Sequence, residues 1–342
     1  MSDPIAVIGA GAWGTTLAAR LAAAGHSTTL WAHTPRAREE IEAERENRRY
    51  LPGVPLPEGL RVTSDEAALG GPHRLYVLAV PSAHVRGTLR RIGPSLDPEA
   101  PVLSVVKGIE ENTHLRMSQV IGQELPGRRV AVLSGPNLAR EIAAGKPAGT
   151  VVASDDRALA SELASLLGSD RFRVYTNPDV TGVELCGALK NVVALAAGMV
   201  DGLRLGDSAK AGIITRGLAE MTRLGLAAGA NPMTFAGLAG VGDLIATCMS
   251  PLSRNRHAGE LMASGLSWTE ASARLAGVAE GVHTVRGALA LAAAHGVELP
   301  IAEQVAAVVH EGRPPMEAVA ALMSRSQKDE LELVVERRSG PA

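Results

Sequence analysis

The sequence has little of several features that mark common protein classes. Its two cysteines, Cys186 and Cys248, lie far apart with no paired cysteine or histidine, so neither a disulfide framework nor a metal site is expected. A formal net charge of -2 gives no basic excess for a nucleic-acid partner. No segment offers about 18 uninterrupted apolar residues, and the N-terminus lacks the basic region of a signal peptide. We therefore expect a cytoplasmic protein without an integral membrane segment.

Lysine is also scarce. Only five of the 34 cationic residues are lysine, so arginine supplies most of the surface charge. Arginine keeps its proton at neutral pH, whereas lysine can lose it when its surroundings are adjusted. A lysine inside an apolar segment is therefore a candidate for chemistry.

The length of 342 residues suggests two domains. In residues 1–178, short apolar runs alternate with stretches of helical composition, which predicts a Rossmann-like, doubly wound parallel sheet with helices on both faces. Residues 179–335 are rich in Ala, Leu and Gly at helical spacing and predict an all-helical C-terminal domain of six or seven helices. Residues 336–342 are expected to form a tail. The candidate strands are 4–8, 28–32, 75–80, 102–106, 130–133 and 150–153.

A glycine motif lies between the first candidate strand and the first candidate helix. Gly9, Gly11 and Gly14 have the spacing of a dinucleotide-binding turn. In that motif the first glycine permits the tight turn, the second lets the backbone approach the pyrophosphate, and the third lets the helix pack against the strand. Because the strand, turn and helix follow in the required order, the motif predicts a dinucleotide cofactor.

The acidic residue that such folds place at the end of the second strand is missing. His33, Arg36 and Arg38 follow that strand instead. A carboxylate there would bind the ribose hydroxyls and repel a 2′-phosphate, so its absence favours NADP(H), with NAD(H) as the alternative. The two arginines also fit a second interpretation, in which they simply begin a solvated helix.

Polar residues follow two further candidate strands. Lys107 follows the strand at 102–106, and Gly135 and Asn137 follow the one at 130–133. Ligands of open α/β sheets bind at the carboxyl ends of the strands, so both segments are expected at one crevice. A solvated loop cation is the alternative for Lys107.

Lys190 lies in an apolar segment, 183–194, that reads as the first helix of the second domain. Helical spacing places the small residues Cys186, Gly187 and Ala194 on its side of the helix, which leaves room for a ligand. A core lysine without a partner is costly or loses its charge, so we expect Lys190 to face a cleft rather than to extend to the surface.

A last group of polar residues follows a flexible Gly-Val-Gly stretch. Asp243 comes directly after it and is placed to orient Lys190 or a substrate hydroxyl. Ser253, Arg254 and Asn255 offer a hydroxyl, a forked cation and an amide, which suit a phosphate monoester. A Ser-Pro turn with a helix cap at Ser253 is compatible with this interpretation.

Together these segments resemble the soluble NAD(P)-dependent glycerol-3-phosphate dehydrogenase family over nearly the whole chain. The family usually has Ser or Thr followed by Phe where this sequence has Asn137 and Leu138. The matching pieces are residues 9–15, 47–52, 106–108, 135–136, 184–191, 240–243, 247–256 and 278–281.

The resemblance implies roles for individual residues. Lys190 stands at the position of the catalytic acid/base, in a catalytic group with Lys107 and Asp243. The residues implied to contact glycerol phosphate are Lys107, Gly135, Asn137, Lys190, Asp243, Ser253, Arg254 and Asn255. Those implied to contact the nucleotide, besides the three glycines of the turn, are Ala12, Trp13, His33, Tyr50, Lys107, Ala139, Arg254, Val278 and Glu280.

The implied activity is reversible hydride transfer between NAD(P)H and dihydroxyacetone phosphate or sn-glycerol 3-phosphate, which supplies glycerol 3-phosphate for phospholipid synthesis. Two other functions share the predicted fold. A 3-hydroxy-acid or ketopantoate-type dehydrogenase explains Lys190 but not the grouping at 253–255. A protein that senses NAD(P)H without turnover gives Lys190 no role. A homodimer is compatible with the sequence.

Overall fold

The computed structural model describes residues 4–275 and 277–327, so the predicted tail at 336–342 and the predicted domain end at 335 lie outside the described residues. The chain begins with an eight-stranded sheet in the order β3-β2-β1-β4-β5-β6-β7-β8. The strands are β1 (Ile5–Ile8), β2 (Thr28–Trp31), β3 (Leu60–Thr63), β4 (Leu75–Leu78), β5 (Val102–Ser104), β6 (Val130–Ser134), β7 (Ala148–Ala153) and β8 (Phe172–Asn177). The helices between them are α1 (Ala12–Ala23), α2 (Pro35–Glu44), α3 (Val85–Ile92), α4 (Met117–Glu124), α5 (Ala139–Ala143) and α6 (Arg157–Leu167).

Parallel pairing dominates the sheet, as the alternating pattern predicts, but one pair differs. β6 and β7 are antiparallel, with Ser134 opposite Val151. The only helix between them, α5, has five residues and a length of about 7.5 Å, which is too short to carry the chain back along a strand. The expectation of an entirely parallel sheet is therefore wrong at this pair.

Two strands, β3 and β8, were not predicted. β3 exposes Arg61 between buried neighbours, and its four residues contain no apolar run. β8 lies at the edge of the sheet, where Phe172 is its only buried residue. Both strands lack the continuous apolar run that marks the centre of a parallel sheet, β3 because Arg61 interrupts it and β8 because only one of its residues is buried.

The described residues after β8 are helical, in agreement with the predicted second region. They contain nine α-helices rather than six or seven, because α9 and α12, with four and six residues, are too short to show a helical period. The helices are α7 (Val180–Gly202), α8 (Asp207–Ala227), α9 (Pro232–Phe235), α10 (Asp243–Met249), α11 (Arg254–Ala263), α12 (Trp268–Ala273), α13 (Glu280–Ala294), α14 (Pro300–Glu311) and α15 (Pro315–Met323).

Helix α7 is the centre of the helical region. Asp179 caps its N-terminus by accepting a hydrogen bond from Gly182 N, and every residue from 182 to 200 is buried. α11 crosses it at backbone contact, since a Cβ on Gly198 would lie 1.9 Å from the Arg256 carbonyl oxygen. This crossing fixes the start of α11 relative to Lys190.

The sheet and the helices share part of their core. Val132, Val151 and Ala153 of the sheet pack in the same buried cluster as α7. β8 ends at Asn177 and α7 begins at Val180, so the change from sheet to helices falls close to the predicted position. The division of the chain into domains at 178 and 179 stays a prediction.

Two helical stretches, Val180–Gly202 and Pro232–Met249, have the length and hydropathy of a membrane span. The apolar window of the first is entirely buried inside the protein, which is the position of a core helix. The window of the second is 44% buried.

Candidate active site

The glycine turn joins β1 to α1 at the carboxyl edge of the sheet. Gly9 has a φ of +116°, and a Cβ there would lie 2.7 Å from the Ala79 carbonyl oxygen. A Cβ on Gly14 would lie 2.0 Å from the Gly9 carbonyl oxygen. The Cβ position of Gly11, in contrast, has no atom within 4 Å. Contacts inside the protein therefore require the outer two glycines, while the backbone at Gly11 is open to a ligand at the N-terminus of α1.

A buried asparagine, which was not among the predicted site residues, holds this turn. Asn47 is 2% exposed, and its Nδ2 donates to the Ala10 carbonyl at 2.9 Å and to Thr15 Oγ1 at 2.8 Å. These bonds tie the turn to the segment after α2. The only sequence signal was the family match at residues 47–52.

The predicted cofactor residues after β2 lie at or near the surface. His33 is exposed, and Thr34 caps α2 by accepting a hydrogen bond from Ala37 N. Arg36 and Arg38 pair with Glu40 and Glu42, each four residues further along α2, at 2.8 Å and 3.1 Å. The structure thus shows both arginines on a solvated helix, with His33 at the strand end.

The opposite end of the site is a buried cluster of charged side chains. Both lysines bind the same carboxylate: Lys190 Nζ lies 2.8 Å from Asp243 Oδ1, and Lys107 Nζ lies 2.6 Å from Asp243 Oδ2. Lys190 also donates to Thr247 Oγ1 at 2.6 Å, and Lys107 donates to the Gly135 carbonyl at 3.0 Å. An ammonium has three N–H donors, so each lysine has one left after its two bonds to the described residues.

Burial and charge set the protonation of this cluster. Burial lowers the pKa of Lys190 to about 8, with a smaller lowering contribution from Lys107 and an opposing one from Asp243. Burial also disfavours the charged form of Asp243, but Lys107 and Lys190 together hold the pKa of that carboxyl below its usual value. With two cations around one anion, the cluster carries a net positive charge when Lys190 is protonated and favours an anionic ligand.

Local structure explains why these residues meet. Lys190 lies mid-way along α7, and Lys107 follows β5 at the carboxyl edge of the sheet. The stretch from Leu238 to Gly242 forms one turn of π-helix, a feature frequent at functional sites, and Asp243 begins α10 directly after it. Thr247 lies four residues further along α10, on the same face as Asp243. That spacing is the sequence signal by which Thr247, absent from the predicted site residues, could have been found.

Two of the three side chains at residues 253–255, those of Ser253 and Asn255, form hydrogen bonds within the protein. Ser253 Oγ caps α11 by accepting from Arg256 N at 3.2 Å. Asn255 bridges two helices, because its Nδ2 donates to Asn191 Oδ1 and its Oδ1 accepts from Gly281 N, both at 2.9 Å. Ser253 and Asn255 are buried, whereas Arg254 is exposed.

Several predicted nucleotide residues surround Arg254. A Cβ on Gly277 would lie 3.0 Å from Arg254 Nη1 and 3.8 Å from Tyr50 Cε1, which brings the loop after α2 against the start of α11. Val278 follows Gly277, and Glu280 begins α13. The Glu280 carboxylate accepts hydrogen bonds from Ser82 Oγ at 2.5 Å and from Ser82 N at 3.3 Å.

Three further predicted residues lie along α1 and α5. Ala12 begins α1, and the Trp13 ring packs against Phe172 with ring centroids 6.4 Å apart. Ala139 begins α5, and its carbonyl accepts a hydrogen bond from Thr16 Oγ1 of α1 at 3.4 Å.

Asn137, where the sequence departs from the family pattern, bonds to the neighbouring strand. Its Oδ1 accepts from Thr150 Oγ1 at 2.8 Å, and its Nδ2 lies 3.4 Å from the Gly149 carbonyl. Its predicted contact with substrate stays a prediction.

Comparison with known proteins identifies the family of the chain. The family model described as NAD-dependent glycerol-3-phosphate dehydrogenase N-terminus matches residues 4–160, and the one described as the C-terminus of the same enzyme matches residues 179–320. The chain belongs to the NAD-dependent glycerol-3-phosphate dehydrogenase family.

Individual relatives of the glycerol-3-phosphate dehydrogenase family match at full length. The protein named glycerol-3-phosphate dehydrogenase [NAD(P)+] of Thermobifida fusca is 51% identical over 329 residues, covering 95% of this chain and 98% of the relative. The protein of the same name from Streptomyces avermitilis is 49% identical over 334 residues, covering 96% and 99%. The crystal structure of glycerol-3-phosphate dehydrogenase from Coxiella burnetii has a TM-score of 0.92 at 39% identity, covering 95% and 99%.

Within the glycerol-3-phosphate dehydrogenase fold, nine of the predicted site residues form two groups and one outlier. Lys107, Gly135, Lys190 and Asp243 form the buried cluster. Tyr50 and Arg254 lie beside Gly277, Val278 follows Gly277 in the chain, and Glu280 accepts a hydrogen bond from Ser82. His33 belongs to neither group and lies at the far strand end. Among residues 4–275 and 277–327, no three metal-binding side chains converge, and both cysteines are buried and free.

Proposed function

We propose that this protein reduces dihydroxyacetone phosphate to sn-glycerol 3-phosphate with NADPH or NADH, and catalyses the reverse reaction. The observation that carries the proposal is the pair of lysines on one buried carboxylate, each with one donor left for a substrate oxygen. A net positive charge at this cluster suits a phosphorylated substrate.

The residues of the glycine turn fit a dinucleotide. The open space at Gly11, beside the first N–H groups of α1, accommodates an anionic pyrophosphate. A bound nicotinamide cofactor would supply the hydride. The chain's own residues would bind it along the turns after β1 and β2, with further predicted contacts at Lys107, at Ala139 and around Arg254 and Glu280.

Lys190 is the proposed general acid and base. In the reductive direction its ammonium donates a proton to the ketone oxygen, and Asp243 and Thr247 hold Nζ in place. In the oxidative direction Lys190 must be neutral to accept the hydroxyl proton. A pKa of about 8 makes both forms accessible near neutral pH. Lys107 holds the substrate through its remaining N–H.

The phosphate is proposed to bind at the start of α11. Arg254 offers a guanidinium there, and the first N–H groups of a helix have no acceptor within it. Ser253 and Asn255 have internal partners, so they shape this end of the site as much as they contact the ligand.

We also propose the broader setting implied by the family. The protein acts in the cytoplasm, supplies glycerol 3-phosphate for phospholipid synthesis and forms a homodimer. Residues 1–178 form the dinucleotide-binding domain and residues 179–335 the substrate and catalytic domain, and each contributes some residues to the other's ligand.

The deciding experiment is an absorbance assay at the NAD(P)H band with dihydroxyacetone phosphate, run with each cofactor in turn. We expect oxidation of NAD(P)H that depends on this ketone, and little with ketopantoate or with 2-oxo and 3-oxo acids. Turnover of the acids but not of dihydroxyacetone phosphate would assign the protein to the other dehydrogenase class. Cofactor binding without turnover of any ketone would favour a sensing protein.

A further inference from the structure

The loop after β4 lies at the point where the order of the strands in the sheet reverses. β1 is third in the sheet, with β2 on one side and β4 on the other, so the chain connections leave β1 and β4 in opposite directions. Ligands of open α/β sheets bind in the crevice outside the carboxyl ends of these strands. The loops after β1 and β4 touch there, because a Cβ on Gly9 would lie 2.7 Å from the Ala79 carbonyl oxygen.

Ser82 is the residue of this loop that reaches the helical region. It is 3% exposed, and both its hydroxyl and its backbone N–H donate to the Glu280 carboxylate, at 2.5 Å and 3.3 Å. Glu280 is the first residue of α13, where the helix dipole favours a negative charge. A side chain of the helical region is thus fixed at the switch point of the sheet.

A third segment, at Gly108, packs against Ser82. A Cβ on Gly108 would lie 2.5 Å from Ser82 Cβ and 3.6 Å from Glu280 Oε2. Gly108 follows Lys107, whose Nζ is bound to Asp243. Ser82 therefore has little room to move, and the loop that holds Lys107 supports it.

We infer that Ser82 is a positioning residue for the nucleotide cofactor, which acts by orienting the Glu280 carboxylate. The inference rests on the proposed function, in which Glu280 contacts the nucleotide. A carboxylate has about four acceptor positions and Ser82 uses two of them, so hydroxyl groups of a ribose can occupy the others. Because Ser82 donates to both oxygens, the carboxylate is oriented before the cofactor arrives, and its ordering costs less on binding.

The test compares cofactor binding by the wild-type protein and the Ser82→Ala variant, followed by NADPH fluorescence. We expect the Kd for NADPH to rise about fivefold, the effect of losing one typical hydrogen bond. The kcat and the KM for dihydroxyacetone phosphate at saturating NADPH should stay unchanged, because Ser82 does not touch the buried lysine cluster. The matched control is Ser154→Ala, which removes a buried hydroxyl that donates to the Val130 carbonyl at the opposite edge of the sheet.

A double-mutant cycle separates positioning from general packing. In a Glu280→Ala background, we expect the Ser82→Ala change to leave the Kd for NADPH unaltered, since the group it orients is gone. Equal losses in both backgrounds, an unchanged Kd in Ser82→Ala, or tighter binding in that variant would each overturn the inference. Wild-type protein that binds NADPH but does not reduce dihydroxyacetone phosphate would contradict the proposed function, while the Kd ratios would still decide the role of Ser82.

Discussion

The two ends of the site hold their charges in opposite ways. At the buried cluster, Asp243 is 2% exposed and its two lysine partners come from segments 53 and 136 residues away. At the end of β2, the Arg36 side chain is 89% exposed and its partner Glu40 lies one helical turn away. Charges are costly to bury, so a fold keeps a distant buried pair only where the pair is well partnered.

The contrast explains what each end can do. The buried cluster is pre-assembled from three chain segments, and its geometry determines the chemistry. The pairs on α2 are local and open to solvent, and such pairs contribute little to stability. Changes at the buried cluster should therefore affect rate and stability strongly, and changes near α2 should affect only the choice of cofactor.

The largest effect is expected at Lys190. Lys190→Ala and Lys190→Arg should each lower kcat about 10²- to 10⁴-fold, because arginine keeps the charge but cannot cycle its proton at neutral pH. Steady-state kinetics and NADPH titration measure this, and cofactor binding should persist. Lys146→Ala, at an exposed lysine paired with Glu141, is the matched control. Near wild-type turnover in Lys190→Arg would remove Lys190 from the acid/base role.

Asp243 tests whether the buried cluster contributes more to the free energy of unfolding than the exposed pairs on α2 do. Asp243→Asn leaves two lysines without their shared anion and should cost about 3–5 kcal/mol, the usual result of breaking a buried pair. Glu40→Gln, which breaks the exposed pair with Arg36, should leave the free energy of unfolding nearly unchanged. Denaturant unfolding of the three proteins measures the difference. Equal destabilisation by the two variants would show that burial does not distinguish the pairs.

A substrate effect is expected at Arg254. Arg254→Ala should raise the KM for dihydroxyacetone phosphate roughly ten- to a hundredfold, as for the loss of a charge-assisted hydrogen bond of about 1.5–3 kcal/mol. The KM for dihydroxyacetone, which has no phosphate, should change far less. Equal losses on both ketones would mean that Arg254 is structural or serves only the nucleotide.

The lowered pKa of Lys190 predicts a pH dependence of opposite sign in the two directions. Because oxidation needs the neutral amine, kcat/KM for glycerol 3-phosphate should rise about tenfold per pH unit up to pH 8 and then level off. For reduction, kcat/KM should be level below pH 8 and fall above it. Asp243→Asn removes a group that raises the pKa, so the midpoint should move to lower pH. If the midpoint of the pH profile does not move in Asp243→Asn, Lys190 is not the group whose titration controls the rate.

The smallest effect is expected at the exposed end. His33→Asp should shift the ratio of kcat/KM values several-fold toward NADH, because a carboxylate there accepts bonds from ribose hydroxyls and repels a 2′-phosphate. The parent should use NADPH at least as well as NADH. A parent strongly selective for NADH, or an unchanged ratio in the variant, would show that His33 does not contact this part of the cofactor.

The sequence predicted the buried end better than the exposed one. Lys190 was identifiable because lysine is rare in this chain and costly in an apolar helix. The glycine turn was identifiable because strand, turn and helix follow one another locally. Asn47 was not, since the turn it holds lies 37 residues away and a buried asparagine leaves no periodic pattern.

Some features of the fold left no signal in the sequence. The direction of β7 was not predictable, because a buried strand has the same apolar composition whichever way it runs. β8 was missed because an edge strand with a single buried residue does not alternate as a half-buried strand does. His33, at the end of β2, is exposed, and the fold constrains the identity of such a side chain least.

The burial of α7 has a consequence for hydrogen exchange. The helix lies inside the core from residue 182 to 200, so few local openings can expose its amides to solvent. Amides in such a position exchange mainly through global unfolding, whereas exposed loop amides exchange through local opening. The backbone that holds Lys190 therefore belongs to the slowest-exchanging part of the molecule, and the motion that admits ligands must come from the loops around it.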